Sequence, residues 1–171
     1  MKTVKIILGI IITLSIAFFA TGLIIKELNY ESKVTINKPV EEVFAIFNND
    51  ENLSKWIPEI KSIKEINKVD GMVGSTYAVT VISQGQEMTL EEKVLAYEPN
   101  KKVKLMFNGG GMLKTDDYIF ESNGGNTIIK LKANCKSTGF ILGCMLPFVK
   151  GKLQEQDQQY LTNFKEFVEK N

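Results

Sequence analysis

The sequence predicts an α+β domain, with helices on one face of an antiparallel sheet, preceded by a helix that spans a membrane. Three observations lead to this fold class. An uncharged apolar run occupies positions 6–25. Apolar and polar residues then alternate with a period near two through most of positions 60–136, which is typical of strands with one buried face. A final stretch, 140–170, has apolar residues at helical spacing, so the helices flank a continuous set of strands.

The apolar run at 6–25 predicts a single-pass membrane anchor. At about 1.5 Å per residue, a helix of this length spans roughly 30 Å, the thickness of the hydrocarbon core of a bilayer. Lys2 and Lys5 precede it, which favours a cytoplasmic N-terminus and an extracytoplasmic domain. The alternative is a cleaved secretory signal, since the run contains two small-x-small patterns, but it continues past both. We therefore expect an anchor, residues 1–28, and one domain, residues 29–171.

The elements of the domain are predicted in order along the chain. A first strand at 30–36 is followed by Pro39, which suits the first position of a helix over 40–49 because its missing N–H costs nothing there. A second helical turn is expected at 50–55. Six strands come next, at 61–67, 75–83, 87–97, 102–108, 113–121 and 126–136. The last helix runs over 140–170, and Pro147 either kinks it or marks its true start.

Three segments together resemble a known family. The strand–Pro–helix opening reads VTINKPVEEVF at 34–44, and DENLSKWIPEI follows at 50–60. STGF at 137–140 leads into the long helix, after an EP turn at 98–99. In this order and spacing, the segments are similar to the SRPBCC superfamily (START/Bet v 1-like), and in particular to its polyketide cyclase/dehydrase-like members. The resemblance covers about residues 30–170.

The resemblance implies a helix-grip fold, in which a curved antiparallel sheet of about seven strands surrounds the long C-terminal helix and leaves a hydrophobic cavity between them. Members of the family mostly bind lipids, sterols, polyketides or other apolar molecules, and a minority are enzymes. The membrane helix departs from the best-studied members. It makes a membrane-proximal ligand the expectation rather than a freely diffusing carrier.

Two carboxylates are candidates for acid or base chemistry. Glu92 shares the strand parity of Met88 and Leu90, so it could face the cavity, where burial would raise its pKa. The alternative, which we favour, is that a bulge or strand end returns Glu92 to water, because the apolar residues after Val94 have the opposite parity. Asp116 shares the parity of Tyr118 and carries the same two interpretations.

Ten apolar and aromatic side chains are expected to line the cavity. They are Trp56, Tyr77, Met88, Leu90, Phe107, Tyr118, Phe120, Leu146, Leu153 and Tyr160. The tyrosine hydroxyls could orient a polar ligand group, and ordinary core packing is the alternative for each residue. The apolar stretch 139–148 is either buried under the sheet, which we favour, or placed against the bilayer as a ligand entrance. Cys135 and Cys144 either pair or fill a buried wall.

The residue types that the chain lacks exclude several functions. It has no His, and its 21 basic residues are all Lys, so neither a zinc-type ligand set nor the bidentate Arg contacts of nucleic-acid recognition are expected. We expect no metal, no cofactor and no nucleic-acid partner. The sequence predicts a non-catalytic, membrane-anchored binding module for a lipid-like or other apolar small molecule. The alternatives are a cyclase/dehydratase- or hydrolase-type enzyme acting in the same cavity, and an envelope interaction protein with a collapsed cavity.

Overall fold

The computed structural model describes residues 2–83 and 85–170, and the predicted element order is confirmed in it. Met1, Gln84 and Asn171, which fall within the predicted ranges, lie outside the described residues. The helices are α1 (Lys2–Ile24), α2 (Val40–Phe47), α3 (Leu53–Trp56, after a 3-10 turn at Asp50–Asn52) and α4 (Phe140–Lys170). The strands are β1 (Glu27–Ile36), β2 (Ile60–Asn67), β3 (Thr76–Ser83), β4 (Gln86–Glu98), β5 (Lys102–Gly109), β6 (Met112–Asn123) and β7 (Asn126–Ser137).

The described strands form one curved antiparallel sheet in the order β1-β7-β6-β5-β4-β3-β2. Among the described strands, β1 alone is not adjacent to the next strand in sequence: β2 follows α2 and α3 and lies at the opposite edge of the sheet. Alternation decides which residues face inward: in β7 the odd-numbered residues from Thr127 to Cys135 are buried. Helix α4 lies across this inner face, so the predicted helix-grip fold is confirmed.

The alternation in β4 is interrupted by a bulge. The register with β5 shifts between Val94 and Ala96, and a bulge inserts one unpaired residue that changes which face the following side chains occupy. Val94 is buried, Leu95 is 36% exposed, and Tyr97 packs against the core. The bulge therefore explains why apolar residues on both sides of it have opposite parity although both face inward.

An aromatic core fills the end of the fold under α2, α3 and the last turns of α4. Phe47 lies at its centre, with ring centroids 5.2 Å from Phe120 and 5.5 Å from Phe164. Trp56 stands 5.0 Å from Phe164 and is 1% exposed. Each such side chain contributes about 1.5–3 kcal/mol by leaving water, so this region holds the helices to the sheet.

Helix α1 is long and apolar enough to cross a membrane, by its length and composition, and none of its residues is buried. Its last two turns contact the start of α4. The Thr21 hydroxyl donates to the Cys144 carbonyl at 3.0 Å, and Gly22 leaves open the space that the Cys144 thiol occupies, where a Cβ would collide. The two helices are therefore closely packed at this point.

One end of the sheet lies beside the contact between α1 and α4, and we call it the α1 end. Strand β1 begins at this end and β7 ends there, since Glu27 at the start of β1 pairs with Lys136 near the end of β7. The β5–β6 turn lies at this end as well, with Gly110 and Gly111 at positive φ (59° and 79°), a conformation that glycine adopts without strain.

Candidate functional site

A cavity of about 360 Å³ lies between α4, the short helices and the inner faces of β3 to β6. Its wall is mainly apolar, as is usual for small-molecule sites. Eight of the ten residues expected from the sequence line it: Trp56, Tyr77, Met88, Leu90, Phe107, Tyr118, Leu153 and Tyr160. The cavity is therefore open space rather than a volume filled by its own side chains.

Two of the expected pocket residues lie elsewhere. Phe120 belongs to the aromatic core, with its ring centroid 5.1 Å from Phe44. Leu146 is fully buried in a separate cluster with Leu28 and Tyr30, on the side of α4 that faces β1. Phe120 faces inward as its strand parity predicts, and Leu146 as its helical spacing predicts. The interior of this fold is divided between core and cavity, and neither periodicity distinguishes the two.

Glu92 lies in the cavity wall, which corrects the expectation that a bulge would return it to water. The bulge exists, but it follows Val94, so Glu92 keeps the inward parity of Leu90. Burial, with the nearby carboxylates of Asp50 and Asp116 adding to it, raises the pKa of Glu92 to about 7. A carboxyl with a pKa near neutrality is suited to donating or accepting a proton at physiological pH.

Asp116 is buried as well, and it belongs to a polar cluster that joins three elements. The Lys114 ammonium donates to Asp116 Oδ2 at 2.6 Å and to Asp157 Oδ1 at 3.0 Å. The Tyr30 hydroxyl donates to Asp157 Oδ2 at 2.8 Å and stands 3.9 Å from the Cys135 sulfur. Since Tyr30 is on β1, Lys114 and Asp116 on β6 and Asp157 on α4, the cluster fixes the middle of α4 over the sheet.

One ammonium in this cluster is shared by two carboxylates, which leaves negative charge uncompensated. Burial lowers the pKa of Lys114, but Asp116 and Asp157 outweigh burial and hold it above its ordinary value. Burial also raises the pKa of Asp116 to about 6, with Lys114 opposing that shift and Asp157 adding to it. Lys114 therefore stays charged, and the carboxyl of Asp116 takes up a proton on mild acidification.

The sequence analysis did not identify Lys114 and Asp157, although both leave a signal. Lys114 shares the parity of Asp116 and Tyr118 on β6. Asp157 stands four residues from both Leu153 and Leu161 in the apolar stripe of α4, so helical spacing places it on the inner face. A charged residue on an otherwise apolar inner face is the pattern that would have identified both.

Three buried polar atoms of lining residues have no hydrogen-bond partner within the described structure: Asp116 Oδ1, Glu59 Oε2 and the indole nitrogen of Trp56. An unpaired buried polar group costs about 1–3 kcal/mol. Asp116 is 2% exposed, so its free oxygen has little access to bulk water.

The apolar stretch at 139–148 is only partly buried, which corrects the expectation that it lies under the sheet. Gly143, Cys144 and Leu146 are buried, whereas Phe140, Ile141, Met145 and Phe148 are exposed. Cys135 and Cys144 are both free and buried, Cys135 beside Tyr30 and Cys144 beside α1. Within residues 2–83 and 85–170, no three His, Cys, Asp or Glu side chains are grouped to hold a metal ion.

Comparisons with known proteins agree with this architecture. Residues 27–169 match the family model described as polyketide cyclase/dehydrase and lipid transport. No curated protein matches the chain.

Three solved structures illustrate the similarity of the fold. A START superfamily protein from Mycobacterium smegmatis is 18% identical, with a TM-score of 0.70 over 83% of this chain and 97% of that one. The Zhui aromatase/cyclase from Streptomyces sp. R1128 is 9% identical, with a TM-score of 0.71 over 84% and 94%. The protein Ara h 8.0201 is 19% identical, with a TM-score of 0.69 over 85% and 99%. At these identities the likeness is one of fold.

Proposed function

The chain belongs to the polyketide cyclase/dehydrase and lipid transport family, and on that premise we propose that it is a membrane-anchored binding module. Its cavity takes an apolar small molecule, lipid-like in its body, that carries one hydrogen-bond-donating group. The single observation that carries this proposal is the open cavity with a buried, partly unpaired acidic cluster in its wall.

The size and lining of the cavity support an apolar ligand. Its volume of about 360 Å³ lies within the range of ordinary small-molecule sites. Leu90, Leu105 and Val79 contribute aliphatic surface, and Met88 and Met112 are flexible side chains that adapt to a ligand of irregular shape. Apolar area removed from water supplies about 25 cal/mol per Å², so a chain or ring system that fills this space gains most of its affinity here.

The charges in the wall define the polar part of the ligand. Five acidic residues line the cavity, namely Asp50, Glu59, Glu92, Asp116 and Asp157, against one basic residue, Lys114. A carboxylate or phosphate head group would be repelled by this excess, whereas a hydroxyl or amine can donate a hydrogen bond to a lining carboxylate. We therefore expect a neutral or cationic ligand rather than an anionic lipid.

The contacts of α1 favour a retained anchor over a cleaved signal. Cleavage within the apolar run would remove the hydrogen bond from Thr21 to Cys144 and the packing of Gly22 on the Cys144 thiol. It would also uncover Gly143 and Cys144, which are buried in the present fold. We propose that α1 stays attached, with the N-terminus cytoplasmic and the domain on the outer side of the cell membrane.

The experiment that tests the proposal compares the molecules retained by three forms of the full chain, each extracted gently from cells in lipid nanodiscs. Val81→Trp fills the cavity from its wall, and Val73→Trp is the matched control on an exposed site outside it. We expect one apolar hydroxyl- or amine-bearing species in the wild type and in Val73→Trp, and its loss from Val81→Trp. Equal profiles for all three would overturn the binding function.

A second candidate, an enzyme of the cyclase/dehydratase or hydrolase type, is favoured by one observation, the position of Glu92 in the cavity with a pKa near neutrality. The same preparation separates the two. If Glu92→Gln retains the cavity molecule unchanged, the module binds without turnover. If Glu92→Gln accumulates a species different from the one in the wild type, that species is the substrate, and the enzyme replaces the binding module.

A further inference from the structure

The start of α4 presents an apolar face that the domain itself does not cover. Phe140, Ile141, Met145 and Phe148 are 51%, 68%, 44% and 68% exposed, and all lie within the first nine residues of the helix. Contiguous exposed patches of large apolar side chains mark interaction surfaces in soluble domains. We therefore treat this patch as an interaction surface. Its position beside α1 indicates what it contacts.

Helix α1 stands beside the patch and extends it. The Phe18 ring stacks on Phe148 and the Phe19 ring stacks on Phe140, both with centroids 6.0 Å apart. Leu23 and Ile24, near the end of α1, are 68% and 79% exposed. The apolar surface of α1 thus continues without a break onto the outer face of α4.

The depth of the contact follows from the length of α1. Its 23 residues span about 34 Å, close to the hydrocarbon thickness of a bilayer. The residues that contact α4, Phe18 to Gly22, therefore lie within about 10 Å of the membrane surface on its apolar side. Side chains of α4 that stack on Phe18 and Phe19 are at the same depth.

The flanking charges fit this placement. Lys26 and Lys136 are exposed where β1 begins and β7 ends, and Lys150 and Lys152 are exposed just after the patch on α4. Lysines at the edge of a buried apolar segment reach the head-group region with their ammonium groups while their methylene stems stay in apolar surroundings.

The cavity reaches the same end of the sheet. Met88, Gly109 and Met112 line it there, at the start of β4 and on either side of the β5–β6 turn. Gly111 in that turn faces Leu142 of α4, which would stand 3.5 Å from a Cβ at this position. The turn therefore joins the cavity wall to the first turns of α4.

We propose that the first turns of α4, Phe140 to Phe148, are inserted in the same leaflet as the end of α1, and that the β5–β6 turn forms a cavity mouth that faces the bilayer. The ligand then passes between membrane and cavity without crossing water. This inference rests on the anchoring part of the proposed function and adds a second membrane-inserted element to it.

Quenching by lipids brominated on their acyl chains tests the insertion in the full chain reconstituted in phosphatidylcholine vesicles. Ile141→Trp places a reporter on the patch, Leu14→Trp places one in the middle of α1, and Ile66→Trp is the control, exposed to 61% on β2 outside the cavity wall. Subtracting the parent spectrum removes the emission of Trp56. We expect brominated lipids to reduce the added emission at positions 14 and 141 at least twofold and to leave position 66 unchanged.

The outcomes distinguish the insertion of α4 from the anchoring by α1 on which it rests. Quenching at position 14 without quenching at position 141 would overturn the insertion of α4 and leave the anchor standing. No quenching at either position would overturn the anchor and the inserted patch together. Quenching at 141 equal to that at 66 would show that the whole domain contacts lipid, which also contradicts a localised insertion.

Discussion

The two halves of the interior are built on one sheet, yet one is closed and the other is open. Under α2 and the last turns of α4, Phe47, Trp56 and Phe164 pack ring against ring at 5.0–5.6 Å. Towards the α1 end, the same sheet carries Glu92 and Lys114 around open space. Close-packed interiors provide stability, whereas a void with buried charge costs stability. The comparison indicates that the closed half supports a functional, energetically costly half.

Truncation of an aromatic side chain in the closed half should have the largest effect on the free energy of unfolding. Phe164 is fully buried, so Phe164→Ala should lower the free energy of unfolding by about 4 kcal/mol through lost transfer energy and a new cavity. Leu90→Ala, in the cavity wall, should cost about 1 kcal/mol because that side chain already borders open space. Urea unfolding in nanodiscs measures both. Similar losses would mean that the two halves are equally well packed.

Removal of the buried cation should have the next largest effect. Lys114→Met leaves Asp116 and Asp157 buried without their shared ammonium, at a cost of about 3 kcal/mol at pH 7.5. The cost should shrink at pH 5, because the Asp116 carboxyl, whose pKa burial raises to about 6, then binds a proton in the folded state. Lys61→Met, which breaks an exposed pair with Glu87, is the control and should cost less than about 1 kcal/mol. A loss for Lys114→Met no larger than the control would contradict the buried cluster.

Replacement of the cavity carboxyl Glu92 should have a smaller effect, and it should raise stability rather than lower it. The folded pKa of Glu92, about 7, lies above its ordinary value of 4.5. Between these values the folded chain binds more protons than the unfolded chain, so stability falls as pH rises through this window. Glu92→Gln removes that fall, and it should be about 2 kcal/mol more stable than the wild type at pH 8 and nearly equal to it at pH 4.

Unfolding midpoints across this pH range measure the difference, and Glu91→Gln, the exposed neighbour on the outer face of β4, is the control. The control should follow the wild type at every pH. Parallel curves for Glu92→Gln and the wild type would place Glu92 in water, as the sequence had suggested.

The sequence predicted the order of the elements along the chain better than the arrangement of the interior. Alternation identified each strand, and β1 was predicted at 30–36 against Glu27–Ile36 in the structure. The position of Glu92 was predicted incorrectly because the change of parity along β4 indicates a bulge but not the residue at which it occurs, and the bulge lies after Val94. Local periodicity does not reveal where a strand gains its extra residue.

The sequence also did not predict how the interior is divided between packed core and open cavity. Phe120 and Tyr118 have the same parity on β6, yet only Tyr118 lines the cavity. The pairing of Lys114 with Asp157 joins residues 43 positions apart, and only the crossing of α4 over β6 brings them together. Which inward residues meet core and which meet open space depends on such long-range placement.

The measurement that tests the central claim most directly is the emission of Trp56, the single tryptophan of the chain, which is 1% exposed and lines the cavity. A long-chain bromoalcohol is titrated into the full chain in nanodiscs, with the matching bromo-carboxylic acid as a second probe. The account predicts saturable quenching of more than half the emission by the alcohol, and much weaker quenching by the acid. Absence of saturable quenching by the alcohol would contradict a ligand cavity, and equal quenching by both probes would contradict the acidic selectivity of its wall.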